Sequence, residues 1–250
     1  MHPESTIPSH DVAPSAGVAA LSDVERAFVD QWAQSCPYNR YRNYRLVSDT
    51  QAALVLANAV AEPGAEVTRL WHCDQRTPVG LIRVADLPWD TVLYRRKMGR
   101  ITHLCGNLDS ETITRLLDST SFEHLAARVD VSDLNTQRVL TQAGFFPVDT
   151  ILTYLHDPAL GAPPAPDARR AARQYTFRKY EPADRAAVLR LTARSYERYP
   201  GRYYADAWLR DRSAERYLRW AEKYVDGEAD TNRVSEWKGR VVGYLAFRYD

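Results

Sequence analysis

Three cysteines in 250 residues are too few and too scattered for a disulfide framework. Cys36, Cys73 and Cys105 form no Cys-x-x-Cys pair, which argues against a zinc site and for a reducing compartment, here expected to be the cytoplasm. Cys73 and Cys105 lie in apolar strand-like runs, where a thiol is more often inert packing than a reactive group. No stretch reaches the roughly 18 apolar residues a membrane-spanning helix needs. The first twenty residues lack the basic-then-apolar order of a signal peptide. Charge of one sign is missing too: 33 Lys and Arg against 32 Asp and Glu leave a formal net charge of +1. Such a chain has no overall field to draw it to nucleic acid or to an anionic membrane. His72, His103, His124 and His156 share no ligand spacing, so no metal is expected. The nucleophile-elbow, phosphate-loop and dinucleotide glycine patterns are absent.

What is present is an ordinary soluble composition, 45% hydrophobic and 26% charged, with room for one large domain or two small ones. Residues 1–20 are rich in Pro, Ser and Ala and read as a disordered tail. Ser22-Asp23-Val24-Glu25 is a capping box opening a helix to about Ala33, with Ala27, Phe28 and Trp32 on one side. Pro37 to Tyr44 interleaves Tyr and Arg. It reads as a surface loop in preference to a base-stacking platform. A second helix spans Gln51 to Val60, and Glu66 to His72 and Val79 to Val84 form a hairpin. Leu87-Pro88-Trp89-Asp90 suggests a structural corner in which Trp packs and Asp accepts backbone N–H bonds. A strand from Lys97 to Leu104 follows, then a helix capped by Asp109 or Ser110.

Ala126 to Leu155 reads as strand, helix, strand. Leu125, Ala127 and Val129 alternate with polar neighbours, Asp133 caps a helix ending at Gly144, and Phe145 to Leu155 is β-branched and aromatic. Residues 158–173, Pro- and Ala-rich with a terminal Arg cluster, read as a linker, its arginines solvated and not bound to nucleic acid. Beyond it come a strand at Tyr175 to Tyr180, helices at Pro182 to Tyr196 and Arg212 to Val225, and a hairpin turning on Lys238-Gly239. Tyr217 and Trp220 have core spacing on the second helix.

The strand–helix–strand closing on Ala143-Gly144-Phe145-Phe146 resembles the C-terminal half of a GNAT-type N-acetyltransferase domain, and residues 174–250 resemble the first half of another. More narrowly, the chain from about residue 65 resembles the TDP-fucosamine acetyltransferase group. The resemblance lies in Leu87-Pro88-Trp89-Asp90 with Met98-Gly99-Arg100-Ile101, in Ala127-Arg128-Val129 through Gly144-Phe145 and Val148-Asp149-Thr150, in Arg216-Tyr217 and Trp220, and in Gly227-Glu228-Ala229-Asp230 before Gly239 to Gly243.

The resemblance implies an α+β fold of three-layer α/β type, a mixed sheet flanked by helices. Residues 21–157 would be a degenerate GNAT-like domain. Residues 174–250 would be the N-terminal half of an acetyl-CoA-dependent domain, truncated at Asp250. It implies transfer of an acetyl group from acetyl-CoA to a primary amine, on an amino-sugar, a nucleotide-linked one included, or another small molecule. The alternative is a non-catalytic GNAT-like scaffold. No metal, nucleic acid or membrane partner is implied, and a homodimer is an open expectation.

Two departures qualify the activity. The family's Gln/Arg-x-x-Gly-x-Gly/Ala phosphate loop is missing, and its expected place in the first domain reads Cys105-Gly106-Asn107-Leu108-Asp109, with one glycine and an anion. The Tyr that protonates the departing thiolate is replaced by Leu140. No catalytic or cofactor-binding residue is therefore assigned, and this chain is expected to be inactive if it ends at Asp250. The acceptor side of such a site is built by the first two helices and their connection. Tyr199, Arg202, Tyr203, Tyr204, Asp206 and Trp208 are the candidate substrate-binding residues, arginine for a diphosphate and aromatic faces for a base or sugar.

Overall fold

The computed structural model describes residues 14–16, 19–43, 47–152, 174–197, 199 and 201–248, the side chains of 14–16 and 202 excepted. It divides into an N-terminal unit, Met1–Phe146, and a C-terminal unit, Pro147–Asp250, each taken by itself.

The N-terminal unit is a mixed five-stranded sheet flanked by helices. Its strands are β1 (Pro14–Ala16), β2 (Val67–Asp74), β3 (Thr77–Asp86), β4 (Met98–Gly106) and β5 (His124–Ala127), in that spatial order. Neighbours are antiparallel up to β4, and β5 runs parallel to β4. Alternation along the strands sends side chains to opposite faces. Trp71, Leu81 and Cys105 meet Val29, Ala33, Leu56, Ala57 and Val60 of helices α1 (Asp23–Ser35) and α2 (Asp49–Ala61). Their neighbours Leu70, Ile82, Val84 and Ile101 meet Ile113 and Leu116 of α4 (Ser110–Asp118) and Val139 and Leu140 of α5 (Leu134–Gln142). The result is three layers, helix, sheet, helix, with apolar contact on both sheet faces.

Local chemistry fixes the helix ends. Ser22 Oγ accepts from Glu25 N at 3.4 Å while Glu25 Oε2 accepts from Ser22 N at 2.8 Å, the expected capping box. Ser48 and Gln51 repeat the device on α2. The carbonyls ending α2 are satisfied from the sheet. Buried Arg69 donates to Ala61 O at 2.8 Å, Glu62 O at 3.0 Å and Ala19 O at 2.8 Å, and Arg83 adds a bond to Glu62 O at 3.3 Å.

Four expectations change. Pro14–Ala16, inside the expected disordered tail, is an edge strand on β2, where proline's missing donor can face outward. Leu87 to Asp90 is not a corner but the entry to helix α3 (Pro88–Tyr94), because proline at the first turn sets the helical φ. Phe145 to residue 152 forms no strand, and residues 153–155 lie outside the described residues. On α1 it is Val29 and Ala33 that are buried, with Phe28 and Trp32 at the margin and Ala27 exposed.

In the C-terminal unit, β6 (Thr176–Lys179), β7 (Thr231–Trp237) and β8 (Arg240–Phe247) form an antiparallel sheet in that order. Between β6 and β7 run α6 (Arg185–Tyr196), a short α7 (Arg202–Ala205) and α8 (Ser213–Lys223). Val188, Val225 and Val234 form the core with Tyr180, Val241 and Tyr244 around them. Arg178 ties the start of α6 to the sheet, donating to both Asp184 oxygens at 2.7 and 2.8 Å and to Glu236 at 2.9 Å. Tyr217 is buried as expected, whereas Trp220 is 39% exposed: three positions on, it sits at the edge of the stripe and packs sideways on Tyr224.

Candidate functional site

The parallel strands β4 and β5 pair along Met98–Ile101 and His124–Ala127, where β5 ends. At that point β4 bulges: Arg83 pairs with His103 and Val84 with Ile101, so Thr102 is skipped in the ladder with β3. From Thr102 to Gly106 β4 follows β3 alone, and residues 107–109 lead from its end to the N-terminus of α4. A helix N-terminus at the end of a strand is a natural anion site.

Here the terminus is already occupied. Asp109, the cap of α4, accepts from Thr112 N at 2.8 Å, and this bond with that from the Thr112 side chain holds its carboxyl below the usual carboxylate range. Gly106, at φ +83°, is required by the turn itself, since a Cβ there would press into Val79 O and the Gly80 backbone. Leu108 is buried in the core. The connection is thus a tight, self-capped turn, and a pyrophosphate approaching it would meet a carboxylate. Leu140 is 4% exposed, in the apolar cluster beneath the sheet, with no proton to give.

On the α1–α2 side of the bulge, Arg69, Arg83 and His103 form one cross-strand row. Thr102 Oγ1 accepts from Arg83 at 3.0 Å and donates to Arg83 O at 3.2 Å. Burial, with Arg83 and then Arg40, lowers the His103 pKa to about 4, so the ring is neutral at pH 7. The row has no sequence signature, because the three residues meet only through strand register. The three cysteines likewise gather around one core cluster, all as free thiols.

The candidate acceptor residues of the C-terminal unit occupy the α6–α8 connection, where four tyrosines surround Tyr217. Tyr196 stacks on it at 3.9 Å and Tyr204 at 6.2 Å, while Tyr199 and Tyr203 approach edge-on at 5.8 and 5.9 Å. Burial first pushes the Tyr217 phenol up to about 12, so it stays protonated. Tyr203 is buried under the Arg216 guanidinium, 3.7 Å from the ring centroid. Asp206 is buried and accepts from Trp208 N at 2.9 Å. These two hold the connection in shape. Tyr204 is half-buried, its hydroxyl meeting no partner among the described residues. Tyr199 at 42% and Trp208 at 65% exposure are the faces a ligand can touch, and the Arg202 side chain lies outside the described residues. The cluster offers stacking surface and neutral hydroxyl donors but no nucleophile. Among the described residues no group of His, Cys, Asp and Glu is placed to hold a metal, and no helix is long and apolar enough to cross a membrane.

No family model matches the chain, and no curated protein matches it significantly. Solved structures do. A transcriptional regulator from Bacillus halodurans C-125 is 11% identical over 58% of this chain and 100% of its own, with a TM-score of 0.42. A ribosomal-protein-alanine N-acetyltransferase from Brucella melitensis biovar Abortus 2308 is 13% identical over 60% and 100%, with a TM-score of 0.40. An aminoglycoside acetyltransferase from an uncultured soil metagenomic sample, solved with sisomicin, is 10% identical over 59% and 95%, with a TM-score of 0.38. At that level the likeness is one of partial topology, and what those proteins bind or acetylate belongs to them.

Proposed function

We propose that the chain serves GNAT-type N-acyl transfer on its acceptor side, with no CoA-binding loop of its own: the reaction moves an acetyl group from acetyl-CoA to the primary amine of a small molecule, with an amino-sugar, nucleotide-linked or free, as the acceptor class. The observation that carries this reading is the order of the N-terminal unit, a mixed sheet between helix layers in which β4, with its Thr102 bulge, pairs with parallel β5 and leads to the N-terminus of α4. Such chemistry needs a neutral amine held against a thioester carbonyl. The C–N bond forms, the C–S bond breaks, and the thiolate takes a proton. In the N-terminal unit, Asp109 caps the N-terminus of α4 and Leu140 stands where the resemblance would put an acid, so this unit is the non-catalytic companion. The acceptor belongs to the C-terminal unit, its ring against Tyr199 and Trp208, and Arg202 is the residue whose chemistry suits a diphosphate. The three free thiols support a cytoplasmic setting.

Calorimetric titration of acetyl-CoA into the 250-residue chain tests the companion role. No heat is expected, and micromolar binding would show that the α4 terminus is open after all. Titration with a nucleotide-linked amino-sugar tests the acceptor. Binding should weaken about tenfold or more in Trp208→Ala through lost stacking area. An acceptor that binds equally well to Trp208→Ala and Tyr199→Ala overturns the placement. An acceptor that does not bind favours the second reading, a non-catalytic GNAT-like scaffold, for which the Asp109 cap and Leu140 already speak.

A further inference from the structure

Two guanidinium groups lie buried side by side in the N-terminal unit. Arg69 and Arg83 are cross-strand partners on β2 and β3, 2% and 8% exposed. Among the described residues no carboxylate is bonded to either. Their hydrogen bonds run to neutral oxygens, the carbonyls of Ala19, Ala61 and Glu62 and the hydroxyl of Thr102. In both side chains Nε is shut off from solvent and meets no partner among the described residues. Such a pair is unfavourable twice over, since burial strips the charges of water and each repels the other. Both effects lower the Arg83 pKa, burial first and Arg69 second, with the Glu62 carboxylate opposing them. Arg69 donates to three carbonyl oxygens and Arg83 to one, so Arg83 is the group left short.

His103 continues the row on β4, directly across from Arg83, and its Nδ1 is likewise buried with no partner among the described residues. The positive neighbours that act on this ring are Arg83 and Arg40. Arg40 opens the single 3₁₀ turn, Arg40–Asn43, in the connection between α1 and α2. Asn39 anchors that turn from inside, donating to Ala52 O at 2.9 Å and accepting from Tyr41 N at 3.1 Å. The exposed Arg40 side chain donates to the Tyr41 hydroxyl at 3.0 Å. Three basic groups thus gather on the α1–α2 side of β3 and β4, the sheet face opposite α4 and the anion-repelling Asp109. The nearby thiols of Cys36 and Cys105 bring no negative charge, because burial pushes both up.

We propose that Arg83, His103 and Arg40 form a binding site for a phosphate group, carried as inorganic phosphate or a small phosphate monoester. Its oxygens accept from Arg83 Nε, from the Arg40 fork and from His103 Nδ1 when that atom carries the ring proton. A dianion matches two guanidiniums, whereas a carboxylate or chloride leaves one charge unanswered. Arg83 is too deeply buried to meet more than a small group, so acetyl-CoA is not expected here.

Proton NMR of the histidine rings in the full chain tests this, with the His103 signals assigned by their loss in His103→Gln. Inorganic phosphate is titrated in at constant ionic strength, with sodium chloride and sodium acetate as the parallel arms. Phosphate should shift the His103 signals saturably in the millimolar range. Without phosphate the ring titrates near pH 4. With phosphate bound, a negative charge offsets Arg83 and Arg40, and the midpoint should rise by about one pH unit or more. Arg40→Ala, a change at an exposed side chain that leaves the buried row in place, should weaken phosphate binding about tenfold. The unsubstituted chain supplies the decisive reading whatever the variants do to the fold. No saturable shift at millimolar phosphate, an equal response to acetate or chloride, an unmoved His103 midpoint, or a response that Arg40→Ala leaves unchanged would each overturn the proposal.

Discussion

Acidification should loosen the N-terminal unit through one ring. His103 lies on β4 directly after the bulge, and burial, Arg83 and Arg40 together lower its pKa from 6.5 to about 4. The folded state therefore binds this proton more weakly than the unfolded chain does. Between those two values the unfolded state holds more protons, and stability rises with pH. The contribution is complete above pH 6.5, falls away as pH drops toward 4, and is gone below it. A shift of that size corresponds to about 3 kcal/mol, a large part of what a small domain has. The assay is urea unfolding followed by Trp fluorescence at pH 7.5 and at pH 4.5, for the wild type and for His103→Gln, which cannot titrate. Carboxylates such as Asp109 and Asp130 titrate in both proteins and cancel in the comparison. The wild type should lose about 2–3 kcal/mol more than the variant over that interval. A proton NMR titration placing the His103 midpoint near 6.5, or identical pH slopes for the two proteins, would refute the reasoning.

Three further outcomes follow from the same geometry. Gly106→Ala forces a Cβ into the left-handed region against Val79 O and should cost about 2 kcal/mol or more, read by chemical denaturation; an unchanged midpoint would mean the turn relaxes freely. Arg69→Met strips the bonds to Ala19 O and Ala61 O and one of those to Glu62 O, and should cost about 3 kcal/mol, with exchange at the C-terminal turn of α2 speeding first; uniform exchange across the unit would contradict the capping role. Leu140→Tyr places a hydroxyl in an apolar cluster, so the melting temperature should fall, by a free energy of about 1–3 kcal/mol, with no gain of acetyl transfer; measurable acetylation by this variant would overturn the companion role proposed for this unit.

What could be read from sequence was what short-range chemistry decides. The Ser22–Glu25 box, the Asp109 and Asp133 caps and the Lys238-Gly239 turn each depend on residues within a few positions, and each stands as expected. The hairpin signal in the connection Asp74 to Pro78 holds as well, although its two turn residues, Gln75 and Arg76, adopt positive φ without glycine or asparagine. The β1 strand could not be seen, since three residues of a Pro- and Ala-rich stretch become a strand only by pairing with β2 some fifty positions later. Register hid the Thr102 bulge and the Arg69–Arg83–His103 row in the same way. In the acceptor stretch, composition suggested six ligand-facing residues, but it cannot separate Tyr199 and Trp208, which face outward, from Tyr203 and Asp206, which hold the loop together.

The two units resolve the competition between stability and chemistry in opposite ways. A carboxylate at a helix N-terminus contributes about 1 kcal/mol to the fold and, in the same place, repels a phosphate. Asp109 cannot cap α4 and leave room for a pyrophosphate, and Leu140 cannot seal the apolar layer and donate a proton. The N-terminal unit has taken the stabilising choice at both positions, and its sheet is buried on both faces as a result. The C-terminal unit keeps Phe177, Leu245 and Phe247 exposed, and gathers its hydroxyls and aromatic faces at the α6–α8 connection. Groups left unsatisfied in a fold are where a partner or ligand gains most by binding, since the protein has not already matched them internally. On the proposed acceptor role, that argument favours the α6–α8 connection, and the self-capped α4 terminus is a reason to look for the acyl donor elsewhere than in the N-terminal unit.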